Sequence, residues 1–162
     1  MKLIHLFVLF TPTFLLSGCN STPSNTKTPA KTALQINADK RAAYAKHIKQ
    51  LYLRGTFTRW GYNEQFKLIK VGQYSYAAAA QLSQNKHYEF MFSAKDASRA
   101  YANCGYLQAK DQLMVLDKKV KASCTNVVLQ NFTFIPTQSA TYEFFIDFAN
   151  INIPRVYIQK AY

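Results

Sequence analysis

Three thiols are the side chains in this sequence best suited to chemistry. Cys19 closes the stretch Leu16-Ser17-Gly18-Cys19 behind an apolar run. Ser17 and Gly18 are small, and the thiol that follows them is a nucleophile. Cys104 and Cys124 are then left as an even pair, which in an oxidising compartment reads as a disulfide. Loop-closure entropy gives such a bridge a worth of about 3 kcal/mol. A zinc site needs more nitrogen or sulfur ligands nearby, and His47 and His87 are far off in sequence, so no metal is expected. Catalysis needs groups placed together with shifted acidity. The sequence has no Gly-x-Ser-x-Gly, its five glycines form no phosphate-cradling loop, and its carboxylates are too sparse for a glycosidase pair. Asp96 and Asp147 read as fold positions. Neither a catalytic residue nor a cofactor is expected.

The elements around Cys19 set its context. Leu3 to Leu16, preceded by Lys2 and interrupted by Thr11, Pro12 and Thr13, falls short of the roughly 20 apolar residues of a spanning helix. It fits the short apolar core of a signal peptide. Leu16-Ser17-Gly18-Cys19 resembles the lipobox of bacterial lipoproteins. That likeness implies cleavage before Cys19 and acylation of its thiol and amine, and more than one acyl chain gives stable membrane attachment. Asn20, where an Asp can signal inner-membrane retention in that family, points to the outer membrane of a bacterial envelope. We expect a leader over 1–18, a lipidated Ser/Thr/Pro/Asn/Lys-rich tether over 19–36, a short helix over 37–50 and one folded domain over 51–162.

Lys and Arg number 20 against 8 acids, a net charge of +12 that becomes +11 once Lys2 leaves with the leader. Such a balance favours anionic partners: lipid headgroups, phosphorylated or acidic glycans, or an acidic envelope protein. Export makes nucleic acid an unsuitable partner. The bases are scattered apart from Lys118-Lys119-Val120-Lys121, which reads as a solvated turn.

In the helix, Ala38, Ala42, Ala45, Ile48 and Leu51 recur at helical spacing beside Tyr44, with Asn37 or Asp39 as cap. From Leu51 the pattern changes to short Tyr/Phe/Val/Ile/Thr runs punctuated by Gly, Asn, Ser, Asp and Pro, which predicts an all-β domain. Strands are expected near Leu51–Phe57, Glu64–Val71, Tyr74–Gln81, His87–Ser93, Tyr106–Ala109, Leu113–Leu116, Asn126–Phe134, Thr141–Phe148 and Arg155–Gln159. Tyr142, Phe144, Ile146 and Phe148 alternate against Glu143, Phe145 and Asp147, as Tyr88, Phe90 and Phe92 do against Glu89 and Met91, so one face of each is core. Gly72 turns a hairpin. The number and shortness of the strands favour a two-sheet sandwich.

The run Leu51-Tyr52-Leu53-Arg54-Gly55-Thr56-Phe57-Thr58-Arg59-Trp60-Gly61 resembles the opening of the immunoglobulin-like early-set domains that precede the catalytic barrels of pullulanases and glycogen-branching enzymes. Similar likenesses follow in order: Gly72 to Leu82, Tyr88-Glu89-Phe90-Met91-Phe92-Ser93-Ala94-Lys95-Asp96, Asn103-Cys104-Gly105-Tyr106, and Ala140 to Asp147. The resemblance implies an immunoglobulin-like two-sheet sandwich with hydrolysis delegated to a separate domain. Binding members of that family stack sugar rings on aromatics and hold hydroxyls with Lys, Asn or backbone groups. Trp60 matches the motif tryptophan, which is either a sugar platform or a cover for the end of the sandwich. The chain departs from the pattern in three places: Thr58-Arg59 stands where an Asn is usual, Met91 replaces a Lys, and Ala97 occupies the place of a second aromatic.

Two expectations follow. In the first, a lipid-anchored sandwich binds a glycan, with Trp60 and Tyr62 stacking on ring faces and Arg54 or Arg59 holding hydroxyls or an acidic substituent. In the second, the same sandwich is an adaptor or structural lipoprotein that contacts an envelope or secretion complex.

Overall fold

The computed structural model describes residues 50–96, 102–125 and 130–161, together with Gln35, Asp39 and Ala42. Those three are helical and exposed, Gln35 within the expected tether and Asp39 and Ala42 within the expected helix; Cys19, the rest of the tether and the rest of the helix up to residue 49 lie outside the described residues. The remainder is the expected all-β antiparallel sandwich.

Among the described residues nine strands build it: β1 (Leu51–Gly55), β2 (Ile69–Lys70), β3 (Ser75–Leu82), β4 (Tyr88–Ala94), β5 (Asn103–Tyr106), β6 (Val120–Thr125), β7 (Phe132–Phe134), β8 (Ala140–Asp147) and β9 (Arg155–Lys160). Hydrogen bonding runs β1-β4-β5-β6-β9-β8-β3-β2, with β7 also on β4. The path curls because β6 belongs to both layers. Its first residues, Val120 and Lys121, pair with Val156 and Arg155 of β9, whereas Ala122 to Thr125 pair with Tyr106 to Asn103 of β5. A strand that changes partners partway makes the corner of a sandwich. One sheet is then β1, β4, β5 and β7, and the other β2, β3, β8 and β9.

Alternation fills the space between them. Tyr142, Phe144, Ile146 and Phe148 are buried while Glu143, Phe145 and Asp147 are partly exposed, as their spacing predicts. Phe90 sits at the centre, stacked on Phe132 at 5.2 Å and edge-on to Phe144 at 4.8 Å. Leu51, Leu53 and Phe92 complete the same core. Gly72 turns the β2–β3 hairpin, its N–H and that of Val71 both donating to the Ser75 carbonyl.

Cys104 and Cys124 face each other across β5 and β6 and are disulfide-bonded with their Cα atoms 4.0 Å apart. Beside them Gly105 has a packing reason for its identity. A Cβ added there would lie 1.8 Å from the Gln130 carbonyl oxygen, which accepts the Tyr106 N–H.

Several expectations are corrected, beginning with the strand over Glu64–Val71, where Glu64–Phe66 is a 3-10 turn and only Ile69–Lys70 is strand. β5 is Asn103–Tyr106 rather than Tyr106–Ala109: Asn and Gly are poor strand formers, and pairing with β4 and β6 overrides that preference. Leu113–Leu116 makes only an isolated parallel bridge, Leu113 with Thr133, and leaves Leu113, Val115 and Leu116 exposed. Lys118 and Lys119 are solvated as foreseen, but Val120 and Lys121 open β6, because Val120 is buried against β9. On β4 the face opposite Phe90 and Phe92 is also covered: Met91 and Ser93 are buried, although Met91 lies outside the main core. What covers that outer face is the candidate site.

Candidate functional site

The segment after β1 folds back over the outer face of the β1–β4 pair. Tyr52 and Arg54 of β1 stand on that face, opposite Ser93 and Met91 of β4 in register. Gly55, extended at φ −178°, ends the strand so close to β4 that a Cβ would meet the Glu89 carbonyl oxygen at 2.3 Å. A short 3-10 turn, Thr56–Thr58, follows. Phe57 drops its ring into the core, stacked on Phe144 at 5.7 Å. The Thr58 hydroxyl accepts the Gly55 N–H and donates to the Gly55 carbonyl, both at 3.0 Å.

Arg59 and Trp60 then adopt left-handed backbone, φ 51° and 59°. For residues with a Cβ this costs about 1–2 kcal/mol each. It persists because the surroundings fix it: the N–H groups of Arg59, Trp60 and Gly61 donate to the carbonyls of Thr56, Gly55 and Thr58. Arg54 clamps the turn from below. Its Nε donates to the Trp60 carbonyl at 2.8 Å, its Nη2 donates to the same oxygen, and its Nη1 donates to the Tyr62 hydroxyl at 2.8 Å and the Ser93 hydroxyl at 3.1 Å. Strain over-determined in this way is characteristic of functional surfaces.

Of the four side chains expected to meet a ligand, the geometry separates two from two. Arg54 is largely spent on the turn. Tyr62 carries the Arg54 guanidinium 4.0 Å above its ring, packs edge-on to Tyr52 at 5.6 Å and donates its hydroxyl to the Ala94 carbonyl at 2.8 Å. Both side chains therefore position the turn, and Arg54 also lines the cleft beside it. Trp60 is partly exposed and outside the core, and Arg59 is fully on the surface.

Below the turn Glu64 accepts a 2.7 Å hydrogen bond from the Tyr52 hydroxyl and pairs with Lys95 at 3.0 Å. The Tyr52 bond first, then the Lys95 contact, hold the Glu64 carboxyl below the usual carboxylate range; the same contact, led by the Glu64 hydrogen bond, raises Lys95. Glu64 and Lys95 are both exposed, so their ion pair contributes little to the stability of the domain.

Trp60, Arg54, Met91 and Asn131 line an open cleft of about 250 Å³. Asn131 was not foreseen. Its Nδ2 donates to Glu89 Oε2 at 3.2 Å, while its Oδ1 is buried and has no hydrogen-bond partner among the described residues. No local sequence signal distinguishes this Asn, because the residue enters the cleft only through the pairing of β7 with β4. Met91, at the motif position of a lysine, gives the cleft an apolar wall. Ala97, the place of a second stacking aromatic, lies outside the described residues. Among the described residues no group of three or more His, Cys, Asp or Glu is placed to hold a metal ion.

No protein-family model and no curated protein matches the chain. A solved structure described as the ligand induced structure of AmyP-SBD is similar, with a TM-score of 0.51 over 69% of this chain and 72% of that chain, at 16% sequence identity. At that identity the likeness concerns the fold alone.

Proposed function

We propose that this chain is a lipid-anchored protein of the bacterial envelope, attached through Cys19, whose sandwich binds a glycan without catalysing its conversion. The observation that carries the glycan reading is the Trp60 turn. A strained segment, clamped by an arginine, holds one aromatic ring at the mouth of a cleft that also contains an unpartnered amide oxygen. An aromatic face with a few convergent polar groups is what a sugar ring requires: its C–H face packs on the ring while its hydroxyls meet donors and acceptors. The fold shared with AmyP-SBD, a starch-binding domain, supports the same reading.

Trp60 is the platform, Asn131 Oδ1 accepts a hydroxyl, and Arg59 reaches an acidic substituent from the rim. The net charge of +11 left once Lys2 departs with the leader suits an acidic glycan better than neutral starch. Anchoring is supported by Leu16-Ser17-Gly18-Cys19 behind its apolar run, and the placement in the outer membrane by Asn20.

Titration calorimetry of the full chain with maltoheptaose and with an oligogalacturonate checks the first part. Binding of either sugar is expected, with Trp60→Ala weakening it roughly tenfold or more, the loss typical of a central aromatic contact. Unchanged affinity in Trp60→Ala removes the platform. Absence of sugar binding, with a stoichiometric protein recovered by crosslinking in cells, favours the adaptor reading instead. Mass spectrometry checks the anchor: the polypeptide is expected to begin at Cys19 with an added acyl mass that Cys19→Ser abolishes.

A further inference from the structure

A second surface departs from the ordinary polar exterior. Where Leu113–Leu116 fails to become a strand, it lies beside the segment that follows β7, and the two enclose a groove of about 340 Å³. Its floor is Met114, Phe134 and Tyr142, all buried core residues. Its lips are aliphatic and bare: Leu113 is 58% exposed, Val115 53%, Ile135 47% and Leu116 37%. A single exposed Leu means little, but four in one patch at neighbouring loop tips need a partner.

The rim identifies the partner's chemistry. The Val115 carbonyl accepts the Lys118 N–H, which closes the turn that carries Lys118 and Lys119 next to the lips. Lys110 precedes the groove in the short turn Ala109–Asp111. Lys160 is fixed on the opposite side, its Nζ 2.8 Å from Oε1 of Gln138, the neighbour of the lining Thr137. All four lysines are exposed. Lys119 Nζ lies over the Tyr157 ring, 4.9 Å from its centroid, a ring on which Asp147 and Glu143 also act; the other carboxylates near the rim are Asp117, whose Oδ1 accepts a hydrogen bond from Gln159, and Asp111, which is buried and takes the Lys121 N–H.

Aliphatic loop tips ringed by lysines match an anionic bilayer surface, where the tips enter the acyl boundary and the ammonium groups meet phosphates. We infer that the Leu113–Leu116 and Ile135 tips dock this domain on an anionic lipid leaflet. The protruding lips favour a planar surface over an enclosed small ligand. A neutral protein groove would leave the lysine rim without a counterpart. This contact is independent of the Trp60 cleft and of the N-terminal attachment, and it would fix which side of the sandwich faces the membrane.

The chain's single tryptophan makes the test direct. In the full chain, Trp60→Phe combined with Leu116→Trp places the only indole on the lip of the groove. Vesicles of phosphatidylcholine with phosphatidylglycerol, carrying brominated acyl chains, are expected to quench it and shift its emission to the blue. Brominated vesicles of phosphatidylcholine alone are expected to leave it unquenched, even if the chain sediments with them through its N-terminus. Lys118→Glu with Lys119→Glu is expected to weaken the response about 25-fold or more, at roughly fivefold per lysine near an anionic surface. Leu113→Trp, at the most exposed position, gives the same readout should Leu116→Trp fold poorly. An unquenched indole on anionic vesicles overturns the inference, as does equal quenching on both vesicle types. A blue shift without lipid that grows with protein concentration also overturns it, by showing that a second copy covers the groove.

Discussion

The Trp60 turn and the Leu113–Leu116 groove are both loops laid against the same sandwich, yet they handle their exposed atoms in opposite ways. Around Trp60 almost every polar group is committed: one guanidinium serves the turn carbonyl, a tyrosine and a serine, and one threonine hydroxyl serves both ends of Gly55. Around Leu113 the side chains commit to little and stand in solvent. The difference teaches that the first surface is built to hold a shape, at a cost in backbone strain, while the second leaves apolar area available at little cost in shape. Rigid presentation suits recognition of a defined ring. A bare greasy rim suits a fluid partner that needs no fixed geometry.

The contrast breaks most visibly at Arg54. Arg54→Ala strands the Trp60 carbonyl and the Ser93 hydroxyl and releases the strained turn, so a loss of about 3 kcal/mol is expected in urea unfolding, together with loss of any sugar binding. A loss under about 0.5 kcal/mol would mean that the clamp does not hold the turn. Thr58→Ala removes the hydroxyl that bridges Gly55 and should cost about 1 kcal/mol; Thr58→Ser, which keeps the hydroxyl, should recover most of it in the same assay.

On the other surface the opposite outcome is expected. Leu113→Ser, at a position that packs on little, should change stability by less than about 0.5 kcal/mol while weakening the docking described above. A large destabilisation there would show the lip to be core. The smallest effect concerns Glu64, whose carboxyl is held below its usual range. A depressed carboxylate contributes stability that is fully present above its unfolded value and is lost as pH falls through the folded one. Tryptophan emission from Trp60 should therefore report slight loosening of the turn only at acidic pH, below the ordinary carboxylate range, and Glu64→Gln should flatten that dependence.

How much of this could be read beforehand differs between the two regions for a physical reason. Around Trp60 the hydrogen bonds that close the turn join residues no more than six positions apart within Arg54-Gly55-Thr56-Phe57-Thr58-Arg59-Trp60-Gly61, so the residues that make the turn are visible as a local pattern. At the groove the apolar residues of Leu113 to Leu116 predict a strand, and the structure leaves them outside one with three of the four exposed. Periodicity cannot tell a buried apolar run from an exposed one. Asn131 and the partner change in β6 likewise depend on contacts distant in sequence.

Taken alone, the order of residues determined the all-β class, the inward face of β8 and the pairing of the two late cysteines. It also marked the motif that carries Trp60. All of these rest on period-two alternation, composition or short-range spacing, which are properties of neighbours along the chain. Tertiary structure alone decided that Arg54 and Tyr62 turn inward to hold the turn, that Asn131 joins the cleft, and that four aliphatic residues remain uncovered beside four lysines. Those outcomes depend on which strands come to lie against one another, because a side chain's hydrogen bonds and exposure are settled by atoms from distant parts of the sequence.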